Sequence, residues 1–319
     1  MISRAQPGTS AFDAWTRHQR LRVEQALSAW VVGFDQAGPA AALGEAMRYS
    51  VLDGGKRLRP LLVLAACEAV GGNQGAALRA ACAVELIHAY SLVHDDMPCM
   101  DNDVMRRGKP TVHVQFGEAG ALLAGDALQA LAFELLTPQH DAVQAADAVE
   151  PAIQARLCGL LARSAGLRGM AGGQAIDLAS VGKPLDSVAL HKMHRLKTGA
   201  LLQASVMMGA ACGTLPAASR AAVEAALADY GWAIGLAFQV MDDVLDVTAD
   251  SATLGKTAGK DAAHDKPTFV SLMGLEGAQV YARRLLAEAL EHLDAMGAAG
   301  PANTTALRSL AHQLVERAR

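Results

Sequence analysis

Apolar side chains recur three and four positions apart along most of the chain, which is the spacing of one face of an α-helix. The clearest runs are 11–34, 61–70, 76–96, 118–136, 190–212 and 219–250, followed by two C-terminal runs that begin near Gln279 and Thr304. No alternating strand pattern, linker or internal repeat interrupts them. The pattern predicts a single all-α domain over residues 1–319 with roughly ten or more helices, and loose residues at 1–10.

Glycine pairs and prolines separate these runs. The breaks fall at 53–60, 70–75, 106–111, 213–219 and 265–269. The first of them, "DGGKRLRP", is a basic turn that leads directly into an apolar helix. Backbone N–H groups at the start of a helix favour anions, so this turn is a candidate phosphate site.

Composition narrows the function classes. The chain has 319 residues, of which 52% are hydrophobic and 19% charged, so it can bury a large core. Aromatic residues are only 4%, which favours helices packed closely through small side chains. A net charge of −4 gives no basic field for nucleic acid. The absence of a signal peptide and of roughly 18 uninterrupted apolar residues predicts no membrane span. Five cysteines without C-x-x-C spacing argue against disulfides and zinc, and favour a cytoplasmic location.

An acidic cluster stands out within "LVHDDMPCMDNDVMRRGKPT", with two arginines directly after it: Asp95, Asp96, Asp101, Asp103, Arg106 and Arg107. Two unit charges about 4 Å apart repel by roughly 4 kcal/mol at an effective dielectric near 20, so a cation is expected among these carboxylates. Asp95 and Asp101 would point in different directions on an ideal helix. Pro98 must bend or end the helix, which lets the later carboxylates return towards the earlier ones.

A second acidic cluster, Asp242, Asp243 and Asp246, lies within a strongly helical run. Positions four apart are about 40° apart around a helix, so Asp242 and Asp246 project from one face, with Gln239 three positions before Asp242 on the same side. A solvated acidic face is the alternative. Apolar neighbours instead predict a largely buried helix, where carboxylates commonly bind metal. Two such clusters facing across a helical cavity predict a Mg2+ site that holds a polyphosphate.

Basic residues lie beside both clusters, on the Gly-rich turn and in the middle of the chain: Lys56, Arg57, Arg59, Arg106, Arg107, Lys197 next to Thr198, Lys256 and Lys260. A single basic residue is most simply a surface charge, and Arg57 is assigned to that class. His88 lies seven positions before Asp95 on the same helical face, so a core role and a polar-cavity role remain open. His94 is assigned a structural role. The chain has no G-x-x-x-x-G-K-[ST] motif, which leaves nucleotide hydrolysis without support.

Taken together, the motifs resemble those of the trans-isoprenyl diphosphate synthase family, and most closely its bacterial farnesyl diphosphate synthases. The resemblance rests on DDxxxxD, DDxxD, "GGKRLRP", "RRGKPT", "KTG" and "FQVMDD", in the family's order, over about 41–275. It implies an all-α fold around a deep central cavity and a homodimer. The implied reaction is Mg2+-dependent condensation of isopentenyl diphosphate with dimethylallyl and then geranyl diphosphate, which gives (2E,6E)-farnesyl diphosphate.

The resemblance also assigns residues. Asp95, Asp101 and Asp242 are implied as the principal ligands of three Mg2+ ions, which Mn2+ can replace, with Asp96, Asp243 and Asp246 in support. The implied isopentenyl diphosphate site is Lys56, Arg59, His88 and Arg107. The implied allylic diphosphate site is Arg106, Lys197, Thr198, Gln239 and Lys256, with Lys266 nearby. The implied catalytic residues are Asp95, Asp96, Asp101, Arg106, Lys197 and Asp242. "GMAGGQAIDL" resembles a segment that lines the pocket through Gln174 and Asp177. Asn102 departs from the family's acidic run, which affects only local charge.

Product length is predicted to depend on Tyr90 and Ser91, which lie five and four positions before Asp95. At 1.5 Å per residue they are about one turn deeper in the cavity. Small Ser91 leaves room beyond ten carbons, whereas Tyr90 obstructs the next isoprene unit. In the family, an aromatic near this position, with the two extra residues in "MPCM", accompanies a fifteen-carbon product.

Three alternatives remain at this stage. A geranyl or geranylgeranyl diphosphate synthase keeps every motif and differs in cavity depth. A terpene cyclase shares the fold and metals but does not need "GGKRLRP" and His88 for a second diphosphate. A non-catalytic all-α binding protein would do neither reaction. Assay with isopentenyl diphosphate separates these classes.

Overall fold

The fold was analysed in a computed structural model that describes residues 9–31, 39–52, 54–138, 149–180, 182, 185–248, 268–298 and 303–316. The helices before the acidic loop are α1 Thr9–Trp30, α2 Pro39–Val51, α3 Leu58–Ala69 and α4 Gln74–Asp95. A short hairpin follows, with β1 Met105–Arg106 and β2 Lys109–Pro110. The later helices are α5 Val112–Leu136, α6 Pro151–Ala165, α7 Met170–Ala179, α8 Ser187–His194, α9 Ala200–Ala211, α10 Ala217–Thr248, α11 Phe269–Ala298 and α12 Thr305–Glu316. A π-helical turn, Arg195–Gly199, joins α8 to α9. The all-α prediction is confirmed.

The two helices at the centre, α3 and α4, are almost continuously buried because both are rich in Ala and Leu. Helix α4 begins after Asn73, whose Oδ1 accepts a hydrogen bond from the Ala76 N–H at 2.9 Å. Helices α3 and α9 approach so closely that a Cβ on Gly209 would lie 2.1 Å from the Val63 carbonyl oxygen. Small side chains therefore set the helix spacing, as the composition predicted.

Three long helices, α4, α5 and α10, are long and apolar enough to cross a membrane by length and composition alone. In the fold, the apolar window of α4 is 67% buried and that of α10 is 50% buried inside the protein. A helix at the centre of a large helical core is apolar on several faces because it contacts other helices, not lipid. The internal packing of α4 and α10 thus accounts for their hydropathy.

Several elements differ from the sequence-based expectation. Helices α2, α6 and α7 were not predicted, and α11 starts at Phe269 instead of near Gln279. Gly274 has a φ of 74° and kinks α11, which masks the continuity of its apolar pattern. The hairpin strands are only two residues long, too short for an alternating pattern. At the N-terminus, α1 already includes Thr9, whereas residues 1–8 lie outside the described part of the chain.

Candidate active site

The first acidic cluster folds back on itself. Helix α4 ends at Asp95, with Asp96 as its C-terminal cap, so the predicted end of the helix before Pro98 is confirmed. The Asp101 N–H donates to the Asp95 carbonyl oxygen at 2.9 Å, and the Asp103 N–H donates to the Asp96 carbonyl oxygen at 3.1 Å. These backbone bonds bring the later carboxylates next to the earlier ones.

Asp95 lies in a strongly electrostatic environment. Burial raises the pKa of its carboxyl to about 6, and the negative charges of Asp101 and Asp96 act in the same direction. Lys197 and Arg106 lower it again, but not enough to restore the ordinary value. The ionised form of Asp95 is therefore disfavoured in the protein alone, and a further cation would be favoured beside it.

Asp96 and Arg106 form a two-pronged ion pair. Arg106 Nη2 lies 2.6 Å from Asp96 Oδ1, and Arg106 Nε lies 2.8 Å from Asp96 Oδ2. Asp96 is only 2% exposed, and its burial raises the pKa of the carboxyl in spite of the arginine. The hairpin places Arg106 for this contact, because β1 ends at Arg106 and pairs with Lys109 in β2. The hairpin thus returns Arg106, which follows the acids in sequence, to form an ion pair with Asp96.

The second cluster is linked to two other elements by side-chain hydrogen bonds. Thr198 Oγ1 donates to Gln239 Oε1 at 2.9 Å, and Gln239 Nε2 donates to Asp243 Oδ1 at 2.8 Å. Asp243 Oδ2 accepts from the Phe269 N–H, the first of α11, at 2.7 Å. Both oxygens of Asp243 thus have protein donors, so this residue holds the π-turn, α10 and α11 together.

Asp242 and Asp246 lie on α10 on either side of Asp243. Asp246 is buried, and Asp242 is half-buried. The charge of Asp242 raises the pKa of Arg59, although burial lowers that pKa overall. Asp242 therefore lies near Arg59, in the first turn of α3.

Lys197 connects the first cluster to α7. Its Nζ lies 2.6 Å from Asp177 Oδ2. Burial acts to lower its pKa, yet the charges of Asp177, Asp95 and Asp101 raise that pKa overall. The residue lies in the π-turn, a distortion that often marks functional positions in helices. Lys197 is thus a cation that is paired with Asp177 and lies within the electrostatic influence of Asp95 and Asp101.

Glycine makes this contact between α7 and the π-turn possible. A Cβ on Gly173 would lie 2.1 Å from the backbone nitrogen of Lys197. The neighbouring Gln174 is buried, and neither its Nε2 nor its Oε1 has a hydrogen-bond partner in the part of the chain that the structure describes. Its amide therefore remains available to a ligand or to water.

The sequence did not indicate His194, which lies three positions before Lys197. It is buried, and its ring lies 5.3 Å from that of Phe269. Burial lowers the pKa of His194 to about 4, and Lys197 and His191 lower it further while Asp177 opposes them. The ring of His194 is therefore close enough to the Lys197–Asp177 pair for both charges to affect its pKa. No local sequence pattern distinguishes this histidine from an ordinary core residue.

Two of the predicted isopentenyl diphosphate residues, Arg59 and Arg107, lie close enough to His88 to affect its pKa. Its pKa is well below the ordinary value, first because the ring is buried and then because of the charges of Arg59, Arg107 and Arg106. Arg107 Nη1 donates to the Gly54 carbonyl oxygen at 2.9 Å, which fixes the basic turn beside the hairpin. Among the described residues, Arg59 Nε has no hydrogen-bond partner although it is buried. A neutral histidine within a ring of guanidinium groups is suited to an anion.

Arg57 is not a surface charge, and this assignment was wrong. The residue is 3% exposed, with Nε 2.7 Å from Glu24 Oε1 and Nη1 2.7 Å from Glu85 Oε1. Nη2 also donates to the Val51 carbonyl oxygen at 2.7 Å. The turn directs its neighbour Lys56 to solvent and Arg57 inwards. The partners lie 33 and 28 positions away, so no local pattern could have revealed them.

The carboxylate oxygens of the first acidic cluster are ligands of the type that magnesium prefers. Within the described residues, no three His, Cys, Asp or Glu side chains come close enough together to hold a metal ion on their own. Mg2+ commonly takes one or two protein carboxylates and completes its octahedron with water and substrate phosphate oxygens. Asp95 and Asp101 are two carboxylates close enough that the charge of Asp101 adds to the effect of burial in raising the pKa of Asp95.

The remaining predicted residues fall into two groups. Tyr90 is half-buried on α4, and Ser91 Oγ donates to the His88 carbonyl oxygen at 2.8 Å. Burial raises the pKa of the Tyr90 hydroxyl, and the charge of Asp95 adds to this. Tyr90 therefore lies close to the acidic cluster, as expected. Lys256 and Lys266 lie outside the described residues.

Comparison with known proteins identifies the family. The family model for polyprenyl synthetase matches residues 40–299 of the chain. The chain belongs to the polyprenyl synthetase family. The synthetase is accordingly a transferase, and the prenyltransferase class expected from the motifs is confirmed.

Individual relatives agree with this membership. A probable farnesyl diphosphate synthase from Bradyrhizobium diazoefficiens is 47% identical over 285 residues, which is 89% of this chain and 83% of that protein. The large subunit 1 of the heterodimeric chloroplastic geranylgeranyl pyrophosphate synthase from Arabidopsis thaliana is 50% identical over 252 residues, or 78% of this chain and 66% of its own length. The solved structure of a Helicobacter pylori geranyltransferase with magnesium and isoprenyl diphosphate is 35% identical, with a TM-score of 0.81 and 99% of each chain covered.

Proposed function

We propose that the synthetase is a Mg2+-dependent farnesyl diphosphate synthase. It would join isopentenyl diphosphate first to dimethylallyl diphosphate and then to geranyl diphosphate, and release diphosphate each time. The observation that carries this proposal is that two groups of basic residues are associated with the acidic clusters. The charges of Asp177, Asp95 and Asp101 act on Lys197, which we assign to one side of the site, and those of Arg59 and Arg107 act on His88, which we assign to the other.

The side with Lys197 is suited to the substrate that ionises. When bound, Mg2+ would supply positive charge to the leaving diphosphate, and Asp95 and Asp101 would hold it. As the allylic C–O bond breaks, its electron pair goes to a diphosphate oxygen, and Lys197 stabilises that negative charge. Thr198 and Gln239, joined by a hydrogen bond of 2.9 Å, turn dipoles towards the same region.

The side with His88 is suited to a diphosphate that stays intact. Arg59 and Arg107 are permanently charged and offer fork-shaped donors to phosphate oxygens. His88 remains neutral because its pKa is lowered, so it can donate one hydrogen bond without being protonated. Lys56 is exposed on the adjoining turn and would close over the bound anion.

Carbon–carbon bond formation then follows from proximity. The double bond of isopentenyl diphosphate provides the electron pair that attacks the allylic cation. A proton leaves the new cation for the departed diphosphate, which is the nearest base of the reaction itself. The reaction would require an apolar cavity, because water would otherwise capture the cation as an alcohol.

We infer a fifteen-carbon product from the position of Tyr90. The charge of Asp95 acts on its hydroxyl, so the ring lies next to the site where the chain starts to grow. Ser91 is small and its hydroxyl is bonded to its own helix, which leaves room for ten carbons. The Arabidopsis relative is named as a geranylgeranyl synthase subunit, so a twenty-carbon product is the second candidate.

Product analysis tests the proposal. The enzyme is incubated with dimethylallyl and isopentenyl diphosphates and Mg2+, and the dephosphorylated products are separated by chromatography. Farnesol as the main product is the expected result. Geranylgeraniol or geraniol as the main product would contradict the proposed product length. Conversion of an allylic diphosphate alone would indicate a cyclase. Inertness would indicate a non-catalytic protein.

We further propose that the synthetase is a homodimer with α5 in the interface. Helices α4 and α5 are equally apolar, yet the apolar window of α5 is 39% buried whereas that of α4 is 67% buried. Val114, Leu122 and Leu123 of α5 are all exposed. A second copy of this chain would cover them and remove their apolar surface from water.

Analytical ultracentrifugation tests the interface with two matched variants. Leu123→Asp, at a side chain that is 54% exposed on α5, is expected to yield monomers. Leu167→Asp, at an even more exposed leucine away from α5, is expected to leave the dimer intact. A monomeric wild type, or equal behaviour of both variants, would contradict the proposal.

We also propose a cytoplasmic location, on the basis of composition alone.

A further inference from the structure

The rings of Tyr90 and His94 and the backbone of Leu122 form a series of contacts that joins α4 to α5. The rings of Tyr90 and His94, one helical turn apart on α4, meet edge to face with centroids 5.7 Å apart and an interplanar angle of 74°. His94 Nε2 lies 3.1 Å from the carbonyl oxygen of Leu122 on α5. A carbonyl oxygen can only accept, so Nε2 carries the proton and donates. The histidine therefore connects Tyr90 to a neighbouring helix.

Gly125 provides the space for the histidine. A Cβ at this position would lie 2.0 Å from His94 Nε2, closer than any real pair of such atoms. Glycine inside a helix is unfavourable relative to alanine. The imidazole occupies the space that a side chain of α5 would otherwise fill, and the Leu122 carbonyl fixes it there. His94 is thus held from two directions by α5.

An aromatic side chain limits a growing chain only while its ring stays in the way. Tyr90 is half-buried, and a ring without lateral contacts can change its χ1 rotamer and open the path. The edge contact with His94 removes that freedom on one side. Because His94 is itself fixed to α5, the obstruction has a rigid support.

We propose that His94 is a specificity-determining residue that holds the Tyr90 ring in the path of the growing isoprenoid chain. This inference rests on the proposed elongation of allylic diphosphates and refines how its product length is set. His94 acts through Tyr90 and does not touch the reacting atoms. Its removal should therefore change which product is released more than how fast the first condensation proceeds.

The test compares product lengths of variants that perturb the contact from both helices. His94→Ala removes the ring and the hydrogen bond, and Gly125→Ala pushes the ring off Leu122. Both should raise the ratio of twenty-carbon to fifteen-carbon product by roughly three- to tenfold, as expected for the loss of one aromatic contact. Gly120→Ala is the control, since a Cβ there meets only Phe116 Cβ, at 3.2 Å.

Two further variants separate the ring from the hydrogen bond. His94→Phe keeps a ring in the space beside Gly125 and should retain most of the wild-type distribution. His94→Gln keeps a donor for the Leu122 carbonyl oxygen but has no ring edge, and should behave like His94→Ala. These two variants decide the matter if His94→Ala fails to fold by circular dichroism.

Tyr90→Ala, measured in parallel, identifies the cause of any failure. If it lengthens the product while His94→Ala, His94→Gln and Gly125→Ala do not, Tyr90 needs no support and the proposal is wrong. If Tyr90→Ala leaves the product unchanged, the obstruction lies elsewhere and the proposal is equally wrong. A wild type that elongates no allylic diphosphate would instead overturn the proposed function.

Discussion

Lys197 Nζ lies 2.6 Å from Asp177 Oδ2, and this ion pair joins the π-turn to α7. Both side chains are removed from most solvent, so the pair fixes the direction of the ammonium group towards Asp95 and Asp101. The pair is therefore expected to position a catalytic cation as well as to stabilise the fold.

Replacing Asp177 tests this positioning role. Asp177→Asn removes the charged partner, and a charge-assisted hydrogen bond is worth about 1.5–3 kcal/mol, so kcat/KM for the allylic substrate should fall roughly 10- to 100-fold. Steady-state kinetics with varied allylic diphosphate measures this. Asp229→Asn, at an exposed aspartate of α10, is the control and should change nothing. Equal kinetics for both variants would refute the positioning role.

Metal dependence is predicted from the two acidic clusters and from the raised pKa of Asp95. A chelator should abolish turnover, and Asp95→Ala or Asp242→Ala should each lower the rate by orders of magnitude, because the leaving diphosphate would lose its cation. Circular dichroism should show an unchanged helical fold. Full activity in excess chelator would rule out the magnesium proposal.

The two anion sites should separate kinetically. Lys56 lies on the turn near the arginines around His88, whereas Lys197 lies among the acids. Lys56→Ala should chiefly raise the KM for isopentenyl diphosphate, and Lys197→Ala should act mainly on the allylic substrate. The matched pair of kinetic series checks this. An unchanged KM for isopentenyl diphosphate in Lys56→Ala would mean that the turn binds something else.

The buried Arg57 should be essential for stability. Arg57→Met leaves Glu85 buried without its partner, and breaking such a pair costs about 3–5 kcal/mol of unfolding free energy. Its exposed neighbour is the control, since Lys56→Met should change stability by less than about 0.5 kcal/mol.

Chemical denaturation measures both variants, together with the double variant Arg57→Met/Glu85→Gln. Removing both charges should recover part of the loss, because Glu85 is then no longer a buried charge without a partner. Equal unfolding free energies for Arg57→Met and Lys56→Met would show that the ion pairs of Arg57 do not stabilise the fold.

The raised pKa of Asp95 predicts a pH dependence. Its folded-state pKa of about 6 lies above the ordinary 3.8, so folding of the metal-free protein favours the protonated form. The contribution to stability is complete below 3.8 and is lost as pH rises through about 6. Mg2+ needs the carboxylate, so the rise in Tm that Mg2+ produces should shrink as pH falls through about 6.

Asp95→Asn provides the check on this assignment. The amide has no charge to bury, so the metal-free variant should have a higher Tm than the wild type at neutral pH, and Mg2+ should hardly change it. Thermal melts with and without Mg2+ over this pH range measure both effects. A variant that melts below the wild type at neutral pH would show that Asp95 is already neutralised by the protein.

Local patterns determined much of this protein. The helical spacing of apolar residues predicted the all-α class, and Pro98 predicted where α4 ends. The motifs and their order predicted the family. Each of these predictions depends on residues that are close together in sequence. The prediction that the later carboxylates return to Asp95 also held, since the backbone bond from Asp101 to Asp95 spans only six positions.

Only the tertiary structure determined which charged and aromatic side chains contact each other across the fold. Arg57 and Lys56 are adjacent and alike in sequence, yet only the approach of Glu24 and Glu85 from distant helices makes one of them a buried anchor. In the same way, the contact of His94 with Leu122, and of Lys197 with Asp177, depends on which helices pack together. Side-chain charge and size are written in the sequence, but burial and neighbouring charge arise only when the chain folds, and they set both the stability and the chemistry of these groups.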